Sequence, residues 1–268
     1  MRYSIFDPTG NITAIITEPP ASAEETLRRQ IAEQIMRQEP SVEQAGFLQT
    51  GGAGVDGELM MAGGEFCGNA SMSAAAWLAM ENGAVRGDKC SLKLRVSGTY
   101  EPVAVDLEAL ASDCFRGRVS MPEALEITER KLPIQGGGAV PVIRMPGITH
   151  VIVPESLGRK KAEKILPSLC SELCAEAAGM MLIDEACTRI TPLVFVPGAG
   201  TLVWEHSCAS GTAAAGAYLA AVRNRKVRIP FEEPGGTLTA EAEPGSKIFI
   251  EGTVKLLCDR DTAEKAVQ

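Results

Sequence analysis

Polar and apolar residues alternate from the start of the chain, in RYSIFD, and again in ITAII after Pro8, Gly10 and Asn11. Alternation of period two marks strands, and the turn-forming residues between the two runs predict a hairpin. Leu27, Ile31 and Ile35 then recur at helical spacing behind a Ser22–Glu25 capping box, and Pro40 stops that helix. Strand-like runs AGFLQT and GELMMAG follow, then an Ala-rich helix from Cys67, then LKLRVSG, PVAVDLE and GRVSMPE. The second half keeps the same order. Strands at PVIRM and THVIV precede a helix near residues 159–178, strands MMLID, TPLVFVP and TLVWE, an Ala-rich helix from Cys208, and closing strands in KIFIEG and TVKLLCD.

The two Ala-rich segments match each other. CGNASMSAAAWLA and CASGTAAAGAYLA, aligned cysteine on cysteine, pair Ser71 with Thr212, Ala74 with Ala215, Trp77 with Tyr218 and Leu78 with Leu219. Each is a cysteine on a small polar turn followed by a run that reads as a buried helix. Recurrence of the whole element order predicts a duplicated α+β protein, with a boundary near 114–117, rather than a doubly wound parallel sheet. The domains are 1–115, completed by the C-terminal strand 254–268, and 116–253, and the halves are expected to pack closely.

Composition narrows the function. At 268 residues, with 45% hydrophobic and 22% charged positions, the chain can bury two ordinary cores. A net charge of −8 argues against nucleic acid and anionic membranes as partners. Neither a signal peptide nor an apolar run long enough to cross a membrane is visible, so a cytoplasmic location is expected. The eight cysteines form no CxxC pair and only two histidines exist, which makes a zinc site improbable and free thiols the expectation. Cys170 and Cys174 read as one buried helix face, and Cys90, Cys114, Cys187 and Cys258 as structural residues in or beside strand-like runs. Trp77 and Tyr218 read as core packing.

Cys67 and Cys208 are different because each begins a helix. Unpaired backbone N–H groups and the helix dipole lower the pKa of a cysteine in the first turn and can cradle a carboxylate. Moving a thiol from about 8.5 to about 6.5 takes roughly 2.7 kcal/mol, more than the dipole's usual 0.3–1, so direct hydrogen bonds must contribute. Two such thiols on either side of an α-carbon would remove a proton from one face and deliver one to the other. That is racemisation or epimerisation with no cofactor.

These residues resemble the diaminopimelate epimerase-like superfamily of cofactor-independent amino-acid racemases and epimerases. Its first cysteine motif is matched by Cys67-Gly68-Asn69-Ala70, and its second by Cys208-Ala209-Ser210-Gly211. Gly10-Asn11 matches its N-terminal turn, Glu43-Gln44 its Asp-Gln pair, and His150 the histidine that supports the thiols. The resemblance spans essentially the whole chain. It implies two pseudo-symmetric domains, each a mixed β-sheet or barrel wrapped round a central helix, and is compatible with a homodimer. It also implies substrate contacts from Asn11, Gln44, Gly68, Asn69, Ala209, Ser210 and Gly211, with Cys67, Cys208 and His150 as catalytic residues. Glu205, three before Cys208, is placed to orient that thiol and joins the catalytic set.

Departures bear on the substrate. Glu58 stands where diaminopimelate epimerases have asparagine, Ile148 replaces another, and Ala199-Gly200 replace a Glu-Arg pair. Losing that arginine removes a bidentate grip on a remote carboxylate. The motifs GGEFCGNA and WEHSCASGT look closer to the superfamily's histidine racemase branch, with Glu43 or Glu58 able to receive an imidazole. Histidine leads as substrate. Diaminopimelate epimerisation, proline or hydroxyproline epimerisation, a phenazine-biosynthesis-like isomerase and a catalytically silent amino-acid-binding protein are the alternatives.

Overall fold

The computed structural model describes residues 1–18, 24–131 and 138–261. Its first elements are β1 (Arg2–Pro8), β2 (Thr13–Ile16), α1 (Glu25–Gln38), β3 (Gln44–Thr50), β4 (Gly57–Met61) and α2 (Gly68–Glu81). Then come β5 (Lys89–Val96), β6 (Val103–Ala111), β7 (Cys114–Met121), β8 (Glu126–Lys131), β9 (Ala139–Met145) and β10 (Ile148–Pro154). The rest are α3 (Arg159–Glu172), β11 (Ala178–Ile183), β12 (Ile190–Val196), β13 (Thr201–Trp204), α4 (Ala209–Arg223), β14 (Val227–Glu233), β15 (Gly236–Ala242) and β16 (Ile248–Asp261). The protein is mixed α+β and forms two compact units, one from Met1–Ser120 with the segment from Glu251 on, the other from Met121–Ile250. The sequence-based boundary near 114–117 falls inside β7, so the chain divides at the end of that strand instead.

In the first unit β1 to β7 follow one another round a sheet that β16 closes against β1, an eight-stranded barrel. The opening hairpin turns through Thr9 (φ 59°) and Gly10 (φ 93°). Two neighbouring pairs, β2 with β3 and β4 with β5, are parallel. Parallel neighbours need a long crossover, which α1 and α2 supply. α1 buries Ile31, Ala32 and Ile35, the face its spacing predicts, against Tyr3, Ile5, Ala14, Ile16 and Phe47. Its N-cap is Glu24; Ser22 of the expected capping box lies outside the described residues. α2 packs against β1 to β6 and is buried on nearly every side. That burial explains its composition, because alanines let strands approach a helix from all directions at little side-chain entropy cost.

The second unit has a six-stranded sheet in the order β13-β12-β11-β10-β9-β8 and a β14–β15 hairpin. α3 connects the parallel pair β10 and β11 and packs Ala162, Leu166, Leu169 and Cys170 on Val151, Val153, Met180 and Leu182. It stops at Glu172, short of the expected 178, because Cys174 adopts a left-handed φ of 51° and the chain then enters β11. Cys174 is therefore exposed while Cys170 is buried, and the two do not share a buried face. α4, as Ala-rich as α2, packs against β9, β10, β11, β14 and β15. Trp77 and Tyr218, expected in the core, are both half-buried on otherwise buried helices. Tyr218 lines a surface cleft with Ile152, Ile183 and Leu219.

Candidate active site

Cys67 and Cys208 each occupy the N-cap of their helix with nearly the same extended backbone, φ −134° and ψ 113° in one, φ −134° and ψ 97° in the other. Each sulfur is held at the first helical turn by its backbone, and both residues are buried, at 8% and 6% exposure. The surroundings of the two differ.

Two neutral groups bond the Cys67 sulfur. Its thiol donates to Gln44 Oε1 at 2.6 Å and accepts from the Ala70 N–H at 3.3 Å. Gln44 begins β3, beside Glu43, which accepts from the buried Asn11 Nδ2 at 3.3 Å. Asn11 follows the hairpin turn, and the Glu43 N–H bonds back to Ile12 O at 2.8 Å, so the parallel β2–β3 register brings Asn11, Glu43, Gln44 and Cys67 into one unbroken neighbourhood. Gly68 and Asn69 complete the first turn of α2 and are buried.

Around Cys208 the partners can carry protons. Its sulfur lies 3.5 Å from Ser210 Oγ, which lies 3.0 Å from His150 Nε2. His150 is fully buried on β10, and burial drives its pKa down to about 3, so the ring is neutral. Among the described residues its Nδ1 has no hydrogen-bond partner. A buried N–H without an acceptor is costlier and rarer than an unused lone pair, which assigns the proton to Nε2. Nε2–H then donates to Ser210, and the Ser210 hydroxyl donates to Cys208. Burial pushes the Cys208 thiol well above its ordinary value, with the Glu205 charge next, against lowering by Ser210 and the Gly211 N–H. The expected lowering at a helix N-terminus is thus overturned here, because desolvation outweighs the first-turn hydrogen bonds.

The comparisons with known proteins decide the family. The family model described as the histidine racemase CntK N-terminal domain matches residues 1–259. The chain belongs to the histidine racemase family. It is 30% identical to a histidine racemase of Fusobacterium nucleatum over 260 residues, 95% of this chain and 93% of that one. A histidine racemase of Staphylococcus aureus is 26% identical over 265 residues, again 95% and 93%. Among solved structures, one from Pseudomonas aeruginosa described as a predicted epimerase shares the fold, with TM-score 0.72 at 15% identity, covering 98% of this chain and 99% of that one.

Within this histidine racemase family member, Glu58 is not drawn to Cys67. It forms an ion pair with Arg95, its neighbour in the parallel β4–β5 register, at the surface. Glu205 is half-buried, with its N–H bonded to Pro192 O at 3.1 Å, and its charge reaches Cys208. Ala209 and Gly211 are buried in the first turn of α4, and Ser210 is half-buried. Two residues escaped the reading of the sequence. Gly179 faces His150 across the parallel β10–β11 pair, where a Cβ would come 2.2 Å from His150 Nδ1. Only glycine lets the imidazole lie there. Glu233 ends β14, accepts the Cys208 backbone N–H at 2.8 Å and is in hydrogen-bond contact with the Thr212 hydroxyl. A signal for it existed: Val227, Ile229, Phe231 and Glu233 alternate, which puts a carboxylate on the inward face of an amphipathic strand.

Proposed function

We propose that this protein racemises free histidine by a two-base mechanism with Cys67 and Cys208 as the acid–base pair and no cofactor. Membership of the histidine racemase family and two N-cap cysteines, each with its own proton partner, support the reading. The observation that carries it is the matched pair of first turns, nearly the same in backbone and different in the partners of the sulfur. The finer architecture follows from the same reading: the units descend from one duplicated ancestor, each wrapped round its cysteine-bearing helix.

The chemistry requires the two sulfurs on opposite faces of one α-carbon. The first-turn N–H groups of Gly68, Asn69, Ala209 and Gly211 suit the substrate carboxylate, whose negative charge a helix N-terminus favours. Cys67 holds its proton against a neutral amide oxygen and serves as the acid in one direction. Cys208 accepts a hydrogen bond from the Ser210 hydroxyl and, as the thiolate, serves as the base. Its raised pKa makes the thiolate, once formed, a stronger base towards a weakly acidic carbon. The roles exchange for the other enantiomer. His150, neutral, orients Ser210 and takes no proton itself. Glu43 is the group proposed to receive the imidazole; Glu58, engaged by Arg95, is a weaker candidate. Free thiols at both positions fit a reducing, cytoplasmic setting.

Proton NMR of reduced protein in D₂O tests this with L-histidine, D-histidine, diaminopimelate and proline. Loss of the histidine α-proton together with appearance of the opposite enantiomer is expected. Cys67→Ala and Cys208→Ala should each slow racemisation about 10²–10⁴-fold. Turnover of diaminopimelate instead of histidine, or full activity in either variant, sinks the reading.

A further inference from the structure

Glu233 is a buried carboxyl that the two-thiol reaction does not use. It sits on the strand that packs against α4, 8% exposed, and touches the helix at two points. One carboxyl oxygen accepts the Cys208 N–H at 2.8 Å, and the other meets the Thr212 hydroxyl. The Thr212 hydroxyl also lies 2.9 Å from the Cys208 carbonyl oxygen, the usual back-bond of a helical threonine. A hydroxyl has one proton and cannot donate to both at full strength.

Both contacts are full-strength hydrogen bonds at once only if the acid carries its own proton. The chain then runs from Glu233 O–H to Thr212 Oγ, and from the Thr212 hydroxyl to Cys208 O. The second carboxyl oxygen still receives the Cys208 N–H. Charged groups around the site strengthen this. Glu205 precedes α4, and Cys208 becomes an anion when it acts as a base. On β14 the neighbouring Glu232 is exposed, the β15 partner is Gly236, and the nearby Arg189 is paired with Glu155 and Asp184. His206, exposed, lies on the same loop as Glu205 and accepts the Gly235 N–H through its carbonyl.

We propose that Glu233 is a positioning residue for Cys208: it fixes the first turn of α4, and its being protonated or charged decides how readily the adjacent thiol ionises. Burial outweighs the hydrogen bonds to Thr212 and the Cys208 N–H and raises the Glu233 pKa from 4.5 to about 8, so the neutral form prevails near neutrality. Its ionisation adds a second negative charge beside Cys208 and opposes the thiolate. Cys67 instead donates to the Gln44 amide oxygen. The proposal rests on Cys208 being one of the two acid–base thiols, but its test needs no substrate.

Brief alkylation of the whole reduced protein with iodoacetamide between about pH 6 and 10, read by peptide mass spectrometry, separates the two thiols. In Glu233→Gln, which keeps an acceptor for the Cys208 N–H and removes the ionisable group, the Cys208 profile should move to lower pH. Where Glu233 is charged in the parent, above about pH 8, the Cys208 rate should rise roughly tenfold, one pH unit's worth of thiolate. Cys67 should keep its profile in the same sample. An unchanged Cys208 profile overturns the proposal, whether or not histidine is racemised. Infrared difference spectra of the unaltered protein across the same range provide a second measurement, independent of how the variant folds. Loss of a protonated-carboxyl band with a midpoint near pH 8 is expected, and no such band refutes the neutral acid.

Discussion

At the scale of the residue, the two cysteines show how little a shared motif fixes. Both cap a helix with the same backbone, yet one thiol faces an amide and the other a serine backed by a buried imidazole. The His150 ring depends on a residue with no side chain. Gly179→Ala would drive a methyl to within 2.2 Å of His150 Nδ1, so the ring must leave its place and release Ser210. We expect kcat to fall about tenfold or more, with a smaller change in KM, because Ser210 and Cys208 lose orientation rather than substrate contact. Steady-state racemisation kinetics check this, and unchanged kcat would show that the histidine–serine bond does not matter. The candidate cysteines, Asn11 and Gln44 were named from the sequence because their neighbours carry motif-like signals, and His150 by the match of the histidine alone. Gly179 was not, since its importance exists only in the register of β10 against β11.

At the scale of the element, α4 shows why an Ala-rich segment is a packing statement. Gly216 faces β15, where an added Cβ would lie 2.7 Å from that of Ala240. Gly216→Val brings three carbons into a closed contact and should destabilise the protein by about 1–3 kcal/mol, after the small gain in helix propensity. A lower thermal midpoint with unaltered Cys208 alkylation is the expected result. An unchanged midpoint would mean that α4 can shift away from its strand. The pattern of strands and helices was readable along most of the chain. It failed at β8, whose sequence EITERK is mostly exposed and carries little alternation, and at the end of α3, where a left-handed residue rather than a proline or glycine stops the helix.

At the scale of the whole molecule, two buried ionisable groups shape stability in opposite directions. His150 has a folded pKa of about 3 against 6.5, so the unfolded chain binds the extra proton in that window and stability drops as pH falls through it. Glu233 has a folded pKa of about 8 against 4.5, so the folded chain binds the extra proton and stability drops as pH rises from 4.5 towards 8. Between about 4.5 and 6.5 the two slopes cancel, leaving a plateau. Outside it each group alone contributes about 1.4 kcal/mol per pH unit, falling on the acid side to about pH 3 and on the alkaline side to about pH 8. Denaturant unfolding across pH should show the alkaline slope reduced in Glu233→Gln and the acid slope kept. An equal alkaline slope in that variant would place the titration elsewhere.

By itself the sequence determined the class of fold, the two helix-capping cysteines and the family, because periodicity, small-residue composition and local motifs are properties of neighbours along the chain. Tertiary structure alone decided the partners of each thiol. Gln44 reaches Cys67 across 23 residues, His150 reaches Ser210 across 60, and Glu233 reaches Cys208 across 25. It also reversed the expected acidity of Cys208, since burial is a property of what surrounds a helix terminus and not of the terminus. A short motif can place a sulfur at the start of a helix. Which form that sulfur takes depends first on solvent exclusion, which no local pattern records, and then on charges both near in sequence, as Glu205, and brought in from a distant strand, as Glu233.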